Sequence, residues 1–212
     1  MKISYGITIC NELEEIKVLL TELFDKVSTE DEIVVLYDDK NGDPEVWDYL
    51  NLILKQPDIP NKMLYTHRDK FNNNFSEWKN KLNSLCRGDF IFNIDADEIP
   101  SEFLLHNIKQ ILKSNPTNDL FITPRINKVE GLTPYYIKKW KWAFNEKGWV
   151  NFPDYQMRIY RNTPEIKWEH KVHEKLTGFN SYAFLPATEQ YSIKHFKTIE
   201  KQEKQNNYYE NI

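Results

Sequence analysis

Two aspartates one residue apart, Asp95 and Asp97, close the apolar run Asp89 to Ile94 (DFIFNI). Carboxylates at that spacing on a strand end can point at one hard cation, and oxygen donors suit Mg²⁺ or Mn²⁺. The same pair also suits a strand-to-helix turn, in which aspartate side chains accept backbone hydrogen bonds. Context favours the metal reading. The run before the pair reads as a buried strand, and Glu98-Ile99-Pro100-Ser101 opens a new helix directly after it. His67 follows a strand and is within reach of a ligand edge, whereas His106 falls in an amphipathic helix and is expected to be structural.

The elements that must position these groups alternate between two periods. Ile3 to Ile9 and Glu32 to Tyr37 (EIVVLY) are buried-strand runs, Met63 to Thr66 is a short third strand, and Leu120 to Thr123 closes the series. Between them lie helical stripes: Ile16, Leu19, Leu20, Leu23 and Val27; then Trp47, Leu50, Ile53 and Leu54; then Phe75, Trp78, Leu82 and Leu85; then Leu105, Ile108 and Ile111. Asp43 before Pro44, and Ser101, are expected N-caps, and Gly88 is placed to end the third helix. Strands alternating with helices predict an α/β fold with a doubly wound, mostly parallel sheet. Ligands of such sheets bind beyond the carboxyl ends of the strands. The residues there are Asn11 and Glu12; Tyr37, Asp38 and Asp39; His67 and Arg68; and Asp95 to Glu98. No GxGxxG or GxxxxGK[ST] pattern occurs, which argues against a dinucleotide oxidoreductase or a P-loop enzyme.

From Gly131 the pattern changes. Trp140, Trp142, Trp149 and Phe152 are interleaved with Lys138, Lys139, Lys141 and Lys147. Short alternating runs follow (Tyr155 to Tyr160, Ile166 to Trp168, Val172 to Leu176), and no helical period returns before Thr198 to Tyr209. The expected organisation is one domain, with residues 1–124 as a ligand-binding half, 125–197 as a smaller β-rich extension and 198–212 as a helical tail. The 212 residues carry 28 Lys and Arg against 32 Asp and Glu, a net charge of −4, which does not suggest binding through neutralised nucleic-acid phosphates. No apolar run approaches the ~20 residues that span a bilayer, and acidic residues follow the first apolar run at once, unlike a signal peptide. Two cysteines are too few for a disulfide framework, so a reduced, cytoplasmic setting is the expectation.

Four separated blocks resemble the family 2 glycosyltransferases of GT-A fold. ISYGITICNELEEI is similar to the opening strand and nucleotide-contacting turn, with Asn11 and Glu12 in place. DEIVVLYDD is similar to the second strand, whose terminal acid, here Asp38, contacts uracil or an equivalent base. FSEWKNKLNSLCRGDFIFNIDADE resembles the helix and strand that lead to the DxD motif, and YQMRIYRNTPEIKWEHKVHEKL resembles an acceptor-side block ending in His-Glu. Two departures stand out. Lys79-Asn80 replaces the frequent Arg-Asn, giving a diphosphate a point charge instead of a bidentate fork, and LYDDKNGDPE replaces the commoner Asp-Ser-Gly-Ser-Thr-Asp turn.

The resemblance implies a metal-dependent, inverting transfer of a sugar from a nucleotide-diphosphate donor, with UDP-sugar as the expected donor, to a hydroxyl acceptor. Asp97 would hold Mn²⁺ or Mg²⁺, Asp95 would position the ribose or the metal, and Arg68 and Lys79 would help at the phosphates. His195, in SIKHFK, resembles the late histidine that completes such a metal site, and imidazole with carboxylates suits Mn²⁺. An inverting transfer needs a general base. Glu174, in the His-Glu block, is the first expectation and Asp154 the second. The aromatic cluster suits stacking on acceptor sugars or the filling of a small β-layer. Acceptors from a glycan to a lipid-linked sugar at a membrane surface or a modified DNA base remain open, as does an inactive nucleotide-sugar-binding module.

Overall fold

A computed structural model describes the backbone of residues 1–56 and 63–210, and side chains as far as residue 206. Residues 211 and 212 of the expected tail lie outside the described residues. β1 (Ile3–Ile9), β2 (Glu32–Asp38), β3 (Leu64–Asp69) and β4 (Phe90–Asp95) are parallel, in the order β3-β2-β1-β4. The sheet continues past β4 through β7 (Val150–Arg161), β6 (Leu120–Glu130), β11 (Ile193–Thr198) and β5 (Glu98–Pro100), and β10 (Tyr182–Phe184) pairs with β6. β7 is antiparallel to both neighbours, and β5 is antiparallel to β11. The mostly parallel α/β sheet is therefore present, and β6 runs unbroken across residues 124 and 125.

The apolar stripes seen in the sequence cover the two faces of this sheet. α1 (Leu13–Lys26), α2 (Pro44–Ile53) and α4 (Glu102–Ser114) bury one face, with Ile16, Leu20, Leu50 and Leu104 fully buried against Ile3, Ile7, Val35 and Phe92. α3 (Phe75–Leu85) and a hairpin of β8 (Lys167–Glu169) and β9 (Lys175–Thr177) bury the other, around Ile91, Leu82, Tyr160 and Trp168. Asp43 caps α2 by accepting from Glu45 N, and Ser101 caps α4 by accepting from Leu104 N, as their residue types predict.

Three local readings need correction. Gly88 does not end α3; the extended Cys86 does. Gly88 is required because a side chain there would strike the Ser4 backbone, the Cβ lying 2.6 Å from Ser4 N. Glu98 to Pro100 form a short strand before α4 begins, not its opening turn. α5 (Pro134–Trp140) is a helix the sequence did not signal, because it buries no residue and so shows no apolar period. Its rings pack on one another: Tyr136 stacks on Trp140 at 5.1 Å, and Lys139 lies over both. The charged tail forms α6 (Ile199–Glu210).

One side chain of α3 holds both backbone groups of a hairpin residue. Asn80 donates to Trp168 O at 2.8 Å and accepts from Trp168 N at 2.9 Å, filling the backbone positions a strand neighbour would fill. Removing both bonds leaves buried backbone groups unmade, at about 1–3 kcal/mol. Asn80→Ala should therefore lower the melting temperature by several degrees and speed hydrogen exchange selectively in residues 166–177. Exchange that rises equally throughout the molecule would show that the clamp is not local.

Candidate active site

At the carboxyl edge of β4 a chain of alternating charges runs through the sheet. β7 lies beside β4, and Arg158 reaches Asn93 Oδ1 at 3.2 Å, Asp95 Oδ2 at 2.5 Å and Glu98 Oε1 at 2.7 Å. Glu98, with no exposed surface, also accepts from Arg125 NH1 at 3.0 Å, and its other oxygen accepts from Asp95 N. Arg125 and Asp154 face each other across β6 and β7, and both Nε and NH2 of Arg125 reach Asp154 Oδ2, at 2.9 and 2.7 Å. Asn127 Nδ2 donates to that same oxygen at 2.8 Å, and its Oδ1 is 2.8 Å from His195 Nδ1. His195 Nε2 then lies 3.3 Å from Asp97 Oδ2.

Register explains why these residues meet. His195 on β11 pairs with Asn127 on β6 and with Glu98 on β5, so one backbone position sits between the two halves of the network. The Asp95-Ala96-Asp97 turn brings Asp97 to the histidine while Asp95 stays with Arg158. Sequence reasoning named Asp95, Asp97, Asp154 and His195 and placed Glu98 at the ligand edge without a role, but missed Arg125, Arg158 and Asn127. Arg158 lay inside the quoted YQMRIYR block and Glu98 directly after the DxD. Arg125 and Asn127 were discoverable only from their alternation along β6.

The charges set each other's ionisation. Burial alone would raise the pKa of Asp95, but Arg158, then Lys79, hold it well below the ordinary carboxylate range. For Asp154 burial is likewise outweighed, by Arg125 and by bonds from Asn127 and Gln156. Burial is outweighed at Asp97 by the hydrogen bond and charge of His195. Lys197, 3.9 Å from Asp97, goes the other way: desolvation lowers its pKa despite that carboxylate.

A second group meets Asp95 from α3. Lys79 Nζ is 2.6 Å from Glu174 Oε1 and 4.0 Å from Asp95 Oδ1, and lies 4.6 Å from the centre of the Trp168 ring. Glu174 is carried on the loop between β8 and β9, where His170 and His173 both have positive φ, at 73° and 53°. Non-glycine residues held there carry strain, which is concentrated at functional sites. The remaining expected residues lie toward β2 and β3. Asp38 is buried and accepts from Lys40 N, Phe71 N and Asn41 Nδ2, tying the loop after β2 to the loop after β3. Glu12 folds back onto Cys10 N and Asn11 N, and Asn11 is exposed. Arg68 pairs with Asp39 at 3.4 Å and lies over Trp47, three strands away from Asp95 in the sheet order. Both thiols are free and are pushed up to about 12, first of all by burial, which leaves neither Cys10 nor Cys86 a nucleophile at neutral pH.

Among the described residues no three His, Cys, Asp or Glu side chains converge as a metal cage. Asp97 and His195 are two groups whose chemistry could hold a cation. Asn127 Oδ1 beside Nδ1 accepts a hydrogen bond from that nitrogen, so that a cation displacing the proton now shared between Nε2 and Asp97 would meet the Nε2 lone pair, the second-shell arrangement of metal-binding histidines. Mg²⁺-type sites commonly take only one or two protein carboxylates and fill the rest of the shell with phosphate oxygens and water.

A parallel α/β sheet extended by antiparallel strands, with the Asp95-Ala96-Asp97 turn at the end of its fourth strand, has the architecture of the GT-A fold. The family model "Glycosyl transferase family 2" matches residues 4–182, and the chain belongs to that family. Its fold is similar to S. aureus TarS residues 1–349, with 16% identity, a TM-score of 0.60, and 93% of this chain matched to 60% of that one. The complex of that TarS fragment with UDP-GlcNAc gives 16% identity, a TM-score of 0.63, and 93% of this chain over 58% of that one. The mannosyltransferase PcManGT from Pyrobaculum calidifontis, in complex with GDP-Man and Mn²⁺, gives 13% identity and a TM-score of 0.50, over 75% of this chain and 44% of that one. The chain thus spans about 60% of the length of the TarS fragment or less. No curated protein matches the sequence. Among the described residues no helix is long and apolar enough to cross a membrane.

Breaking a buried pair by removing one partner costs about 3–5 kcal/mol, because the other charge is stranded. Glu98→Ala takes the shared carboxylate from two guanidinium groups and leaves them only Asp95 and Asp154, so its melting temperature should fall by about 5 °C or more. A smaller fall, matching that of an exposed Glu→Ala control, would remove Glu98 from the network. The sign of the pH dependence follows from the lowered carboxylates. Asp95, Asp97 and Asp154 ionise more readily folded than unfolded. Their contribution is complete above the unfolded value of about 4 and is lost as pH falls through their folded values. Thermal stability should therefore fall steadily below about pH 4, and a melting temperature that stays constant down to pH 2.5 would contradict the pairing.

Proposed function

We propose that the protein is a divalent-metal-dependent, inverting glycosyltransferase that takes a sugar from a UDP-sugar and places it on a hydroxyl acceptor. One observation carries this reading: Asp97 and His195 Nε2 stand 3.3 Å apart at the strand edge, with the histidine tautomer set by Asn127. The UDP-GlcNAc held by TarS supports a uridine donor, and the Mn²⁺ beside GDP-Man in PcManGT supports a metal. Asp97 and His195 would hold a Mn²⁺ or Mg²⁺ ion, which would supply positive charge for the diphosphate leaving group.

The chain's own residues do the rest. Lys79, shared by Asp95 and Glu174, presents an ammonium to the diphosphate; Asp95, fixed by Arg158, positions the ribose. Asn11, Glu12, Asp38 and Arg68 line the approach for the nucleotide from β1, β2 and β3. A general base needs an oxygen open to the acceptor hydroxyl. Asp154 has three donors on Oδ2 and Gln156 on Oδ1, and its pKa is held down, so it serves to position Arg125 and Asn127. Glu174, held by the single ammonium of Lys79 at the end of a strained loop, is the proposed base. Once the diphosphate draws on Lys79, Glu174 is released to take the acceptor proton.

The test is a screen of nucleotide-sugar hydrolysis and transfer with and without Mn²⁺. UDP-sugars should be turned over only with metal, and EDTA should abolish turnover. Asp97→Asn should reduce it by at least ~100-fold, the scale of several lost kcal/mol of charge stabilisation. His195→Ala should weaken Mn²⁺ affinity by ~10-fold or more, and an unchanged affinity would return that histidine to a structural role. Glu174→Gln should lower transfer by roughly 10² to 10⁴ while leaving UDP affinity intact. Near-normal transfer in that variant would move the base elsewhere.

A further inference from the structure

The stretch of aromatic residues and lysines that follows β6 has no core beneath its helix. α5 buries none of its residues. Its rings pack on one another instead: Tyr135 meets Tyr136 edge-on at 5.1 Å, and Trp140 meets Trp142 at 4.7 Å beyond the stack of Tyr136 on Trp140. Tyr135 is 66% exposed and Phe144 is 56% exposed. Phe144 sits in a loop pinned to the start of β7 by hydrogen bonds in both directions between Ala143 and Asn151. Exposed rings grouped in this way mark a surface that meets a partner.

The charge of the stretch says which kind of partner. From Pro134 to Lys147 there are four lysines and one glutamate, Glu146, a balance of +3 in a chain whose total is −4. Lys139 pairs with Glu203 of α6 at 3.4 Å, and Lys147 with Glu189 at 3.8 Å. Lys138 and Lys141 are exposed and have no ion-pair partner among the described residues. Lysines that no carboxylate neutralises, beside tyrosine and tryptophan rings with an apolar body and a polar tip, fit the headgroup layer of an anionic bilayer. Single-stranded nucleic acid would need open ring faces, and those of Tyr136 and Trp140 are covered by each other and by Lys139.

We propose that the segment from Pro134 to Lys147 docks the protein on an anionic membrane surface. Tyr135 and Phe144 enter the headgroup layer, and Lys138 and Lys141 meet the lipid phosphates. The segment lies on the bilayer and does not cross it. β6 runs with β4, since both are antiparallel to β7, so α5 follows a strand that ends at the same sheet edge as the Asp95-Ala96-Asp97 turn, with β7 between them. Docking through this segment therefore brings the ligand edge of the sheet toward the membrane. The proposal goes beyond the transferase reading and does not rest on it, because vesicle binding is measured without donor, acceptor or metal.

Flotation of the full chain with phosphatidylcholine vesicles, alone or mixed with phosphatidylglycerol, tests this. The protein should float with the mixed vesicles only, and raised salt should release it. Lys138→Gln/Lys141→Gln should weaken binding by at least ~10-fold, as the loss of two lysines near an anionic surface implies. Tyr135→Ser/Phe144→Ser should weaken it by ~10-fold or more, through the apolar area no longer withdrawn from water. All four positions are exposed, so both variants should keep the wild-type melting temperature. Val18→Ser/Leu52→Ser, at exposed apolar positions of α1 and α2, should bind vesicles like the wild type. Failure to float, equal flotation with both kinds of vesicle, or unchanged binding in either patch variant would overturn the proposal. Salt-sensitive retention of an oligonucleotide that the lysine variant loses, without vesicle flotation, would overturn it in favour of a nucleic-acid partner.

Discussion

Glu98 has no exposed surface and shares one oxygen between two guanidinium groups, those of Arg158 and Arg125. A carboxylate so buried is costly unless its charge and its lone pairs are matched, and this one is matched by two cations and by the Asp95 amide. Everything near the DxD turn is positioned through that group. Arg158 fixes Asp95; Arg125 fixes Asp154, which fixes Asn127, which sets the tautomer of His195. Losing either arginine takes away one of the two cations that match the buried Glu98, so the geometry of the turn is tied to the stability of the fold.

The network also shows why the sheet must change direction. A purely parallel sheet would end at β4 with its strand-end carboxylates in a row. Here antiparallel β7 delivers Arg158 from the opposite direction, and β11, parallel to β6 but antiparallel to β5, inserts His195 between Asn127 and Glu98. Preorganised charges of this kind do not need to rearrange when a substrate's charge develops.

The parallel half was legible in the sequence because its periods are set by burial: Ile16, Leu19, Leu20 and Leu23 are spaced as a helix on a sheet must be, and Asp43 and Ser101 cap where their hydrogen bonds dictate. The turn with Asp95 and Asp97 was legible from residue type and from the resemblance of the block that contains it. Arg125 and Asn127 were not, since alternation along a strand says which face a residue occupies but not which partner faces it. α5 was hidden because a helix that buries nothing has no apolar stripe. Gly88 misled because a glycine after a helix suggests a cap, whereas here it makes room for the backbone of β1.

At the other end of the chain of charges, Lys79 couples Asp95 to Glu174, so the donor side and the proposed base answer to one ammonium. The central claim is that Asp97 and His195 together hold a divalent ion against a nucleoside diphosphate. Pulsed electron paramagnetic resonance of Mn²⁺ bound with UDP reads this directly. The wild-type protein should show hyperfine coupling to one directly bound imidazole nitrogen, and His195→Ala should lose it. A wild-type spectrum with no nitrogen coupling, or one unchanged in His195→Ala, would contradict the assignment.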